Sequence, residues 1–363
     1  MKIGLVEDWK LTFLSLTFDY RISKRNQVIW LASILLICVV LRLMIIDAPA
    51  LDRTMWKEID YIEISKNYVK NNYNFLRPEI SWPAEPPRVT AMELPAVPFI
   101  AGLLYPILGF NVFSVRIIPL ISWMVLSVYV FFLVKREAGP AVALVASLAS
   151  GLMPIGHQFG NILFSEPTVI AMSAMSLYHF AEWIDYKRKK DWLLAAVGFS
   201  LAVSLKLTPL YMLLPLYWVL FRKHGFQFRK YGSSFLLFFV CMSLPVAWYA
   251  YAYYLTQNSI DVFGIFGGHD KMQTLTMLSD ISWYHNMAYQ VGNDILGGKV
   301  GTACFVIGVS ASLLLKRGFL FIVYLSAIGC FFAIVAEGQI DAPYRQLTIV
   351  PAASFFSAMG VYA

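Results

Sequence analysis

The stretch LPAVPFIAGLLYPILGF, residues 94–110, decides how this chain is arranged. It is apolar throughout, yet it is shorter than the roughly 20 residues that a helix needs to cross a bilayer. It also contains Pro95, Pro98 and Pro106, and proline kinks or ends a helix because it lacks a backbone N–H. We therefore predict that residues 94–110 form a re-entrant or interfacial helix rather than a full span. This prediction fixes the side of the membrane on which every later loop lies.

The composition of the whole chain shows why a membrane is the relevant solvent. Of the 363 residues, 59% are hydrophobic and 14% are charged, whereas a soluble domain carries about 25% charged residues. So much apolar surface must face lipid, and the sequence predicts an all-α polytopic membrane protein. The predicted spans lie at residues 27–46, 113–134, 140–158, 167–184, 192–206, 207–221, 233–251, 298–315, 319–336 and 346–363.

Clusters of lysine and arginine orient these predicted spans. With the N-terminus in the cytoplasm, the short cytoplasmic segments hold 17 of the 29 lysines and arginines, including KRKK at residues 187–190. This arrangement follows the positive-inside rule. If residues 94–110 were counted as a span, the basic clusters that follow them, such as KRKK, would lie outside the cytoplasm instead. The clusters are therefore interpreted as orientation signals. A nucleic-acid partner is not expected, although the net charge is +7.

The predicted topology divides the chain into a cytoplasmic N-terminal segment, residues 1–26, and a transmembrane domain, residues 27–363. The first apolar run is too long for the core of a signal peptide, so we expect it to remain as an uncleaved anchor. Two long loops lie outside the cytoplasm, at residues 47–112 and 252–297. Within the first loop, residues 60–72 place apolar side chains among charged ones, as in a helix at the membrane surface.

Three carboxylates lie at one predicted membrane boundary. Asp60 ends the motif WKEID, Glu93 precedes the re-entrant run, and Glu166 begins a span. A carboxylate in a loop is usually solvated, so Asp60 and Glu93 alone do not indicate a site. Glu166 lies between an apolar residue and an apolar helix, where an ionisable group is costly and often functional. The alternative is that Glu166, beside Pro167, interacts with the helix dipole as a capping residue.

Two cations lie at the same predicted level. Lys206 separates two apolar runs, so its ammonium needs an anionic partner or a path to the lipid headgroups. Arg345 can bind two phosphate oxygens at once because its guanidinium is a planar fork. Cations and carboxylates at a lipid boundary favour one chemistry. The cations hold a membrane-bound phosphate and stabilise it as it leaves, and a carboxylate deprotonates an incoming hydroxyl.

These motifs, in their order and spacing, resemble those of the GT-C membrane glycosyltransferases, in particular relatives of the protein O-mannosyltransferases and of the aminoarabinose transferase of lipid A. The motifs concerned are WKEID (56–60), MELP (92–95), SEP (165–167), SLKLTP (204–209) and APYRQL (342–347). No single motif is specific, but their order on the matching topology is. The resemblance implies a GT-C-like bundle of about ten transmembrane helices with interfacial helices in the first external loop.

The resemblance also implies a reaction. The donor would be a polyprenyl-phosphate-linked sugar, and the acceptor a glycan, lipid or protein of unknown identity. Transfer would invert the configuration at the anomeric carbon. It would take place on the extracytoplasmic side of a bacterial inner membrane. Asp60 would be the catalytic base, and Glu93 and Glu166 would position the acceptor, the sugar or a metal. The chain has no Gly-rich phosphate loop, in agreement with a donor carried on a lipid rather than a nucleotide.

Three cations would contact the donor phosphate. Lys57 and Lys206 are assigned this role by the resemblance, although Lys57 stands where an arginine is commoner. Arg345 stands where relatives often have an aromatic residue, so its role is inferred from guanidinium chemistry alone.

Two points stay open. Carboxylates such as Asp60 and Glu166 could hold a divalent metal, but carboxylates alone do not select one, so no cofactor is certain. Buried acids and cations also mark transport pathways, which makes a transporter or flippase for a lipid-linked glycan the alternative function. Transporters usually place such charges near the membrane midplane, whereas here they gather at one boundary.

Overall fold

The structure is a computed structural model that describes residues 22–48, 56–82, 88–266 and 274–363. Most of the predicted N-terminal segment and parts of both long loops therefore lie outside the described residues. The described residues are mainly helical and contain no β-strand, only two isolated β-bridges. The predicted all-α class is confirmed.

The helices are numbered in chain order. The first eight are α1 Lys24–Leu43, α2 Trp56–Lys70, α3 Ala96–Leu108, α4 Val112–Ala138, α5 Pro140–Leu152, α6 Pro154–Phe159, α7 Glu166–Tyr186 and α8 Lys189–Leu205. The others are α9 Leu213–His224, α10 Gly232–Asn258, α11 Thr274–Ser279, α12 Ile281–Gln290, α13 Lys299–Leu314, α14 Phe319–Ile334, α15 Ala336–Asp341 and α16 Val350–Tyr362. Short 3-10 segments cover Thr208–Met212, Phe228–Tyr231 and Pro343–Ile349, and a π-helical turn covers Val291–Ile295.

Only some predicted spans are single uninterrupted helices. Among the described residues, α1, α4 and the helical segment Arg229–Asn258 are each long and apolar enough to cross a membrane. The predicted span 140–158 is instead broken where Pro154 begins a new helix, and Pro209 and Pro343 lie in 3-10 segments that precede α9 and α16. The predicted number of ten spans therefore stays a prediction.

The run at 94–110 forms a helix too short to cross a bilayer alone. α3 has 13 residues and rises about 20 Å, whereas the hydrocarbon core is about 30 Å thick. α3 packs against α2, and the two helices approach closely at Gly102, where a Cβ atom would lie 2.9 Å from the carbonyl oxygen of Ser65. The length of α3 is consistent with the predicted re-entrant or interfacial helix, and α3 links α2 to α4 because it contacts both.

The surface helix of the first loop begins earlier than predicted. We predicted it over residues 60–72, after the WKEID motif, but α2 begins at Trp56. The sequence pattern did not predict this start because the first turn of α2 exposes its apolar side chains and buries its acidic ones. Its apolar side chains, Trp56 and Ile59, are 47% and 53% exposed, whereas Glu58 and Asp60 are buried. WKEID is therefore part of the helix, and helical spacing places Lys57 on the same face as Tyr61.

Helix α7 joins two charged ends of the bundle. It has 21 residues, a rise of about 30 Å, and begins at Glu166. At its other end, Glu182 lies 2.8 Å from Arg136 of α4, and Asp185 pairs with the same arginine. The basic loops near α4 and α8 and the carboxylate of Glu166 therefore lie at opposite ends of α7.

Candidate functional site

A buried ion pair fixes the first turn of α2. Glu58 and Arg116 are 0% and 2% exposed, and Arg116 donates from Nε and Nη2 to the two Glu58 carboxylate oxygens at 2.8 and 2.7 Å. Glu58 Oε1 also accepts from the backbone N–H of Leu163 at 2.9 Å. Arg116 Nη1 donates to the carbonyl oxygens of Ile46 and Ala48 at 2.7 and 2.6 Å. This pair ties α2 to α4, to the end of α1 and to the loop before α7.

A second buried arginine holds the loop between α6 and α7. Arg42 is fully buried, and its guanidinium lies 4.7 Å from the centroid of the Trp123 ring. Its Nη1 donates to the carbonyl oxygen of Gly156 at 2.8 Å and to Oδ1 of Asn161 at 2.9 Å. The loop leads directly into the first residue of α7, so Arg42 helps to position that residue.

Charged side chains from four segments of the chain meet around one tyrosine. The Nζ atoms of Lys57 and Lys206 lie 4.8 and 5.0 Å from the ring centroid of Tyr344. Lys206 also pairs with Glu166, and the two side chains are only 12% and 8% exposed. The carboxylate of Glu93 acts electrostatically on Lys57. We refer to Lys57, Glu93, Glu166, Lys206 and Tyr344 as the charged cluster.

Lys57 stays charged inside this cluster. Burial lowers the pKa of Lys57, but the Tyr344 side chain and the carboxylates of Glu166 and Glu93 outweigh burial. The pKa of Lys57 therefore lies above its usual value. Lys57 is an ammonium at neutral pH, as binding to a phosphate requires.

The backbone around Glu93 is anchored on both sides. The Met92 carbonyl oxygen accepts from the indole N–H of Trp248 at 3.1 Å, and the Leu94 N–H donates to the carbonyl oxygen of Ser204 at 3.0 Å. The carboxylate of Glu93 itself makes no hydrogen bond or ion pair to the part of the chain that the structure describes. It is therefore free to accept hydrogen bonds from a ligand.

Tyr61 connects α2 to the start of α7. Its hydroxyl lies 2.9 Å from the hydroxyl of Ser165, and its ring packs edge-on against Phe263. Burial, together with the carboxylates of Glu93 and Glu166, raises the pKa of Tyr61 well above its usual value. The hydroxyl therefore stays protonated and can donate a hydrogen bond to an anionic ligand.

Asp60 has one carboxylate oxygen in use and one free. The residue is 2% exposed, and its Oδ1 accepts from the indole N–H of Trp82 at 2.9 Å. Oδ2 is buried and has no hydrogen-bond partner among the described residues. Burial raises the pKa of Asp60, with a contribution from Glu63, although the Trp82 hydrogen bond and Lys57 oppose the change. A desolvated carboxylate of this kind is a stronger base than an exposed one.

Arg345 lies at the edge of the charged cluster. Its guanidinium is 6.0 Å from the ring centroid of Tyr344, and its Nη1 donates to the carbonyl oxygen of Gly338 at 2.7 Å. With Glu166 and Lys206 it lines a cavity of about 10 Å³, roughly the volume that one water molecule needs. A phosphate can therefore reach both cations only if the pair between Glu166 and Lys206 opens.

Asp60 and Glu166, the two carboxylates that the sequence suggested as possible metal ligands, each contact another side chain. Asp60 accepts from Trp82, and Glu166 pairs with Lys206. Across residues 22–48, 56–82, 88–266 and 274–363, no three His, Cys, Asp or Glu side chains form a group that could hold a metal ion. Among those residues the structure therefore gives no donor set to which we assign a metal.

The sequence analysis missed the aromatic residues of the site. Tyr344 adjoins Arg345 in APYRQL, where the sequence indicated only the cation, whereas the structure places the tyrosine between Lys57 and Lys206. Tyr61 could have been found from its spacing of four residues from Lys57, had α2 been extended to its true start. Trp82 lies in an irregular loop, and no pattern in the sequence indicates its hydrogen bond to the catalytic candidate.

Comparison with known proteins identifies the fold. A model of the family described as dolichyl-phosphate-mannose-protein mannosyltransferase matches residues 87–249, which is less than half of the chain. No curated protein sequence matches significantly. Among solved structures, apo ArnT from Cupriavidus metallidurans matches with a TM-score of 0.61 at 14% identity, over 90% of this chain and 59% of that chain.

Two further structures agree. ArnT from Cupriavidus metallidurans bound to undecaprenyl phosphate matches with a TM-score of 0.58 at 15% identity, over 93% of this chain and 60% of that one. The archaeal oligosaccharyltransferase AglB from Archaeoglobus fulgidus, in complex with an inhibitory peptide and a dolichol-phosphate, matches with a TM-score of 0.53 at 13% identity. The match covers 92% of this chain and 50% of that one. The chain thus spans 50–60% of the length of these structures. It is an integral membrane protein and has the fold that ArnT and AglB share, in agreement with the resemblance found in the sequence.

Proposed function

Because the chain has the fold of the GT-C membrane glycosyltransferases, we propose that it transfers a glycosyl group from a polyprenyl-phosphate-linked sugar to an acceptor hydroxyl. The observation that carries this proposal is the buried carboxylate of Asp60, whose Oδ2 has no partner among the described residues. It lies one turn of α2 from Lys57 and so beside the charged cluster. A base with a free oxygen and cations for a departing phosphate are the two parts that this reaction needs.

The proposed step is a direct displacement at the anomeric carbon. Asp60 Oδ2 takes the proton of the acceptor hydroxyl, whose oxygen forms a bond to the anomeric carbon. The bond from that carbon to the phosphate oxygen breaks, and polyprenyl phosphate leaves with the electron pair. Lys57 and Lys206 stabilise the negative charge on the departing phosphate. Attack from the side opposite to the phosphate inverts the configuration.

The remaining groups of the cluster have supporting roles in the proposal. The unpaired carboxylate of Glu93 accepts hydrogen bonds from sugar or acceptor hydroxyls. Glu166 holds the Lys206 ammonium until the donor phosphate replaces it, so that a buried cation is never left without an anion. Arg345 then completes the phosphate contact from the far side of the same small cavity. The bound undecaprenyl phosphate of ArnT and dolichol-phosphate of AglB support a lipid phosphate as the donor carrier.

We further propose that the site faces the extracytoplasmic side and that the N-terminus is cytoplasmic, in a bacterial inner membrane. Support comes from α7, which has Glu166 at one end and the acids that pair with Arg136 at the other. Basic loops stay in the cytoplasm, so the end bearing Glu166 belongs outside. The division into residues 1–26 and 27–363 follows from the same topology.

The phosphate role of Lys206 predicts a loss of donor affinity. Lys206→Ala should weaken binding of polyprenyl phosphate by roughly 10- to 100-fold, because hydrogen bonds to charged groups are the stronger ones in proteins. Competition with a labelled lipid phosphate on purified protein measures this loss. The double variant Lys206→Ala with Glu166→Gln removes both charges, so a loss there cannot come from an unpaired Glu166. Lys66→Ala, at an exposed position of α2, is the matched control. Unchanged affinity for polyprenyl phosphate in both Lys206 variants would show that Lys206 does not contact the donor phosphate.

The role of Asp60 as base predicts an acid limit to activity. Only the ionised carboxylate accepts a proton, so kcat/KM should fall as the pH drops through the pKa of Asp60. Burial places that pKa above the usual value of about 3.9. Trp82→Phe removes a hydrogen bond that favours the charged form, so the acid limb should move to higher pH. Glu63→Gln removes a neighbouring negative charge and should move the limb to lower pH. Identical acid limbs in all three proteins would contradict Asp60 as the titrating base.

A further inference from the structure

An apolar cavity lies between α7, α8, α9 and α10, away from the charged cluster. Its volume is about 440 Å³, within the range of roughly 300–1,000 Å³ for ligand pockets. The lining is almost wholly apolar and includes Phe180, Phe199, Leu216 and Leu220. Along α10 the lining reaches Cys241, ten residues after Tyr231, a rise of about 15 Å. The cavity can therefore take a length of hydrocarbon chain.

Basic side chains converge at one end of this cavity. Lys187 follows the end of α7, Lys223 lies in the last turn of α9, and Lys230 precedes α10. The pKa of His224 is lowered by burial and then by the positive charges of Lys187, Lys230 and Lys223. The three ammonium groups therefore surround one imidazole ring. The ring centroid of His224 is 6.4 Å from that of Tyr231, which lines the cavity. The basic residues and the cavity are therefore neighbours.

Acidic side chains only partly neutralise this basic end. Lys223 pairs with Asp185 at 3.3 Å. Within the part of the chain that the structure describes, Lys187, Arg229 and Lys230 make no ion pair, and Arg229 and Lys230 are exposed. A net positive charge therefore remains where the cavity meets the loops.

One polar group of the cavity lining lacks a partner. Ser234 is 8% exposed, and its Oγ has no hydrogen-bond partner among the described residues. The hydroxyl of Tyr231, by contrast, donates to the carbonyl oxygen of Gly225 at 2.6 Å. A buried hydroxyl without a partner is unfavourable unless a ligand supplies an acceptor. Ser234 lies one turn of helix inside the basic end, where the ester oxygens of a phospholipid would meet it.

We propose that this cavity binds an anionic phospholipid, with an acyl chain between the four helices and the headgroup phosphate on Lys187, Lys223, Arg229 and Lys230. An ester oxygen accepts the hydrogen bond of Ser234. The positive-inside rule explains why basic residues are frequent in these loops, but not why they converge beside an apolar cavity. Anionic lipids of a cytoplasmic leaflet are attracted to basic segments of this kind. The site is separate from the charged cluster and adds to the proposed function.

The test uses the 363-residue chain reconstituted in phosphatidylcholine nanodiscs that contain spin-labelled phosphatidylglycerol or spin-labelled phosphatidylcholine. The motionally restricted fraction of each label reports the bound lipid. We expect the wild-type chain to restrict phosphatidylglycerol in preference to phosphatidylcholine. Arg229→Gln with Lys230→Gln removes two exposed cations and should reduce this preference by roughly fivefold or more. Ser234→Phe fills the cavity near its basic end and should remove the excess of restricted phosphatidylglycerol over phosphatidylcholine, although the basic residues remain.

The matched control is Lys24→Gln with Arg25→Gln, which removes the same charge from exposed positions at the start of α1. Among the described residues, the main helix contacts of α1 are with α4 and α5, whereas the cavity lies between α7, α8, α9 and α10. The control should retain the wild-type preference. Equal restriction of the two lipids by the wild-type chain, or an equal loss in the control, would overturn the proposal. Displacement of phosphatidylglycerol by polyprenyl phosphate at equal concentration would assign the cavity to the donor lipid and would also overturn it.

Discussion

Asp60→Asn is expected to lower kcat for sugar transfer by about 10²- to 10⁴-fold while donor binding stays unchanged. Asparagine has nearly the same size and keeps an oxygen that can accept the Trp82 indole N–H. It cannot accept a proton at neutral pH, so the acceptor hydroxyl is no longer activated. In the proposed mechanism other residues, Lys57 and Lys206, hold the donor phosphate, so the affinity for the donor should not change. Single-turnover transfer and lipid-phosphate binding, measured on the same preparation, separate the two effects.

Glu63→Gln provides a control on the same helix. Glu63 lies three residues after Asp60, and its Oε1 accepts from the backbone N–H of Ser81 at 3.0 Å, a bond that glutamine can keep. This variant removes an equal charge from α2 and should retain most of the transfer activity at neutral pH. Full activity in Asp60→Asn, or an equally large loss in Glu63→Gln, would remove Asp60 from the catalytic role.

Glu58→Leu is expected to destabilise the protein by about 3–5 kcal/mol. The change leaves Arg116 charged at a position that is 2% exposed, and an unpaired buried charge is strongly unfavourable. It also removes the acceptor of the Leu163 N–H, so the loop before α7 loses its tie to α2. Thermal unfolding of the purified protein in one detergent, followed by tryptophan fluorescence, measures the effect as a lowered midpoint.

The double variant Glu58→Leu with Arg116→Met tests the reason for that loss. No unpaired charge remains in it, so it should unfold at a higher temperature than Glu58→Leu alone. It should not reach the wild-type value, because the carbonyl oxygens of Ile46 and Ala48 lose their donor. If the fall in the unfolding midpoint of the double variant equalled the sum of the falls in Glu58→Leu and Arg116→Met, the buried pair would not be the dominant interaction.

Hydropathy was sufficient to predict the class of fold, because a bilayer imposes the same requirement on every helix that crosses it. It was insufficient for the first turn of α2, which exposes Trp56 and Ile59 and buries Glu58. That inversion arises from a partner 58 residues away, Arg116, which no local pattern reveals. The breaks at prolines were visible in the sequence, but whether each one ends a helix depends on the packing around it.

The site was predictable to the extent that isolated charges in apolar surroundings are costly. Glu166 and Lys206 were each identified for that reason, and the structure pairs them with each other. Their pairing was not predictable, because the two residues are 40 positions apart in the chain. The central position of Tyr344 was not predictable either, since a tyrosine near a membrane boundary is more often an anchor in the headgroup region.

Incubation of the purified protein with a panel of labelled polyprenyl-phosphate sugars, in vesicles that also contain candidate acceptors, tests the central claim most directly. We predict that one donor loses its sugar to an acceptor, that free polyprenyl phosphate appears in equal amount, and that both products are absent with Asp60→Asn. Movement of intact lipid-linked sugar across the vesicle membrane, without cleavage of the sugar–phosphate bond, would contradict the claim and favour a transporter.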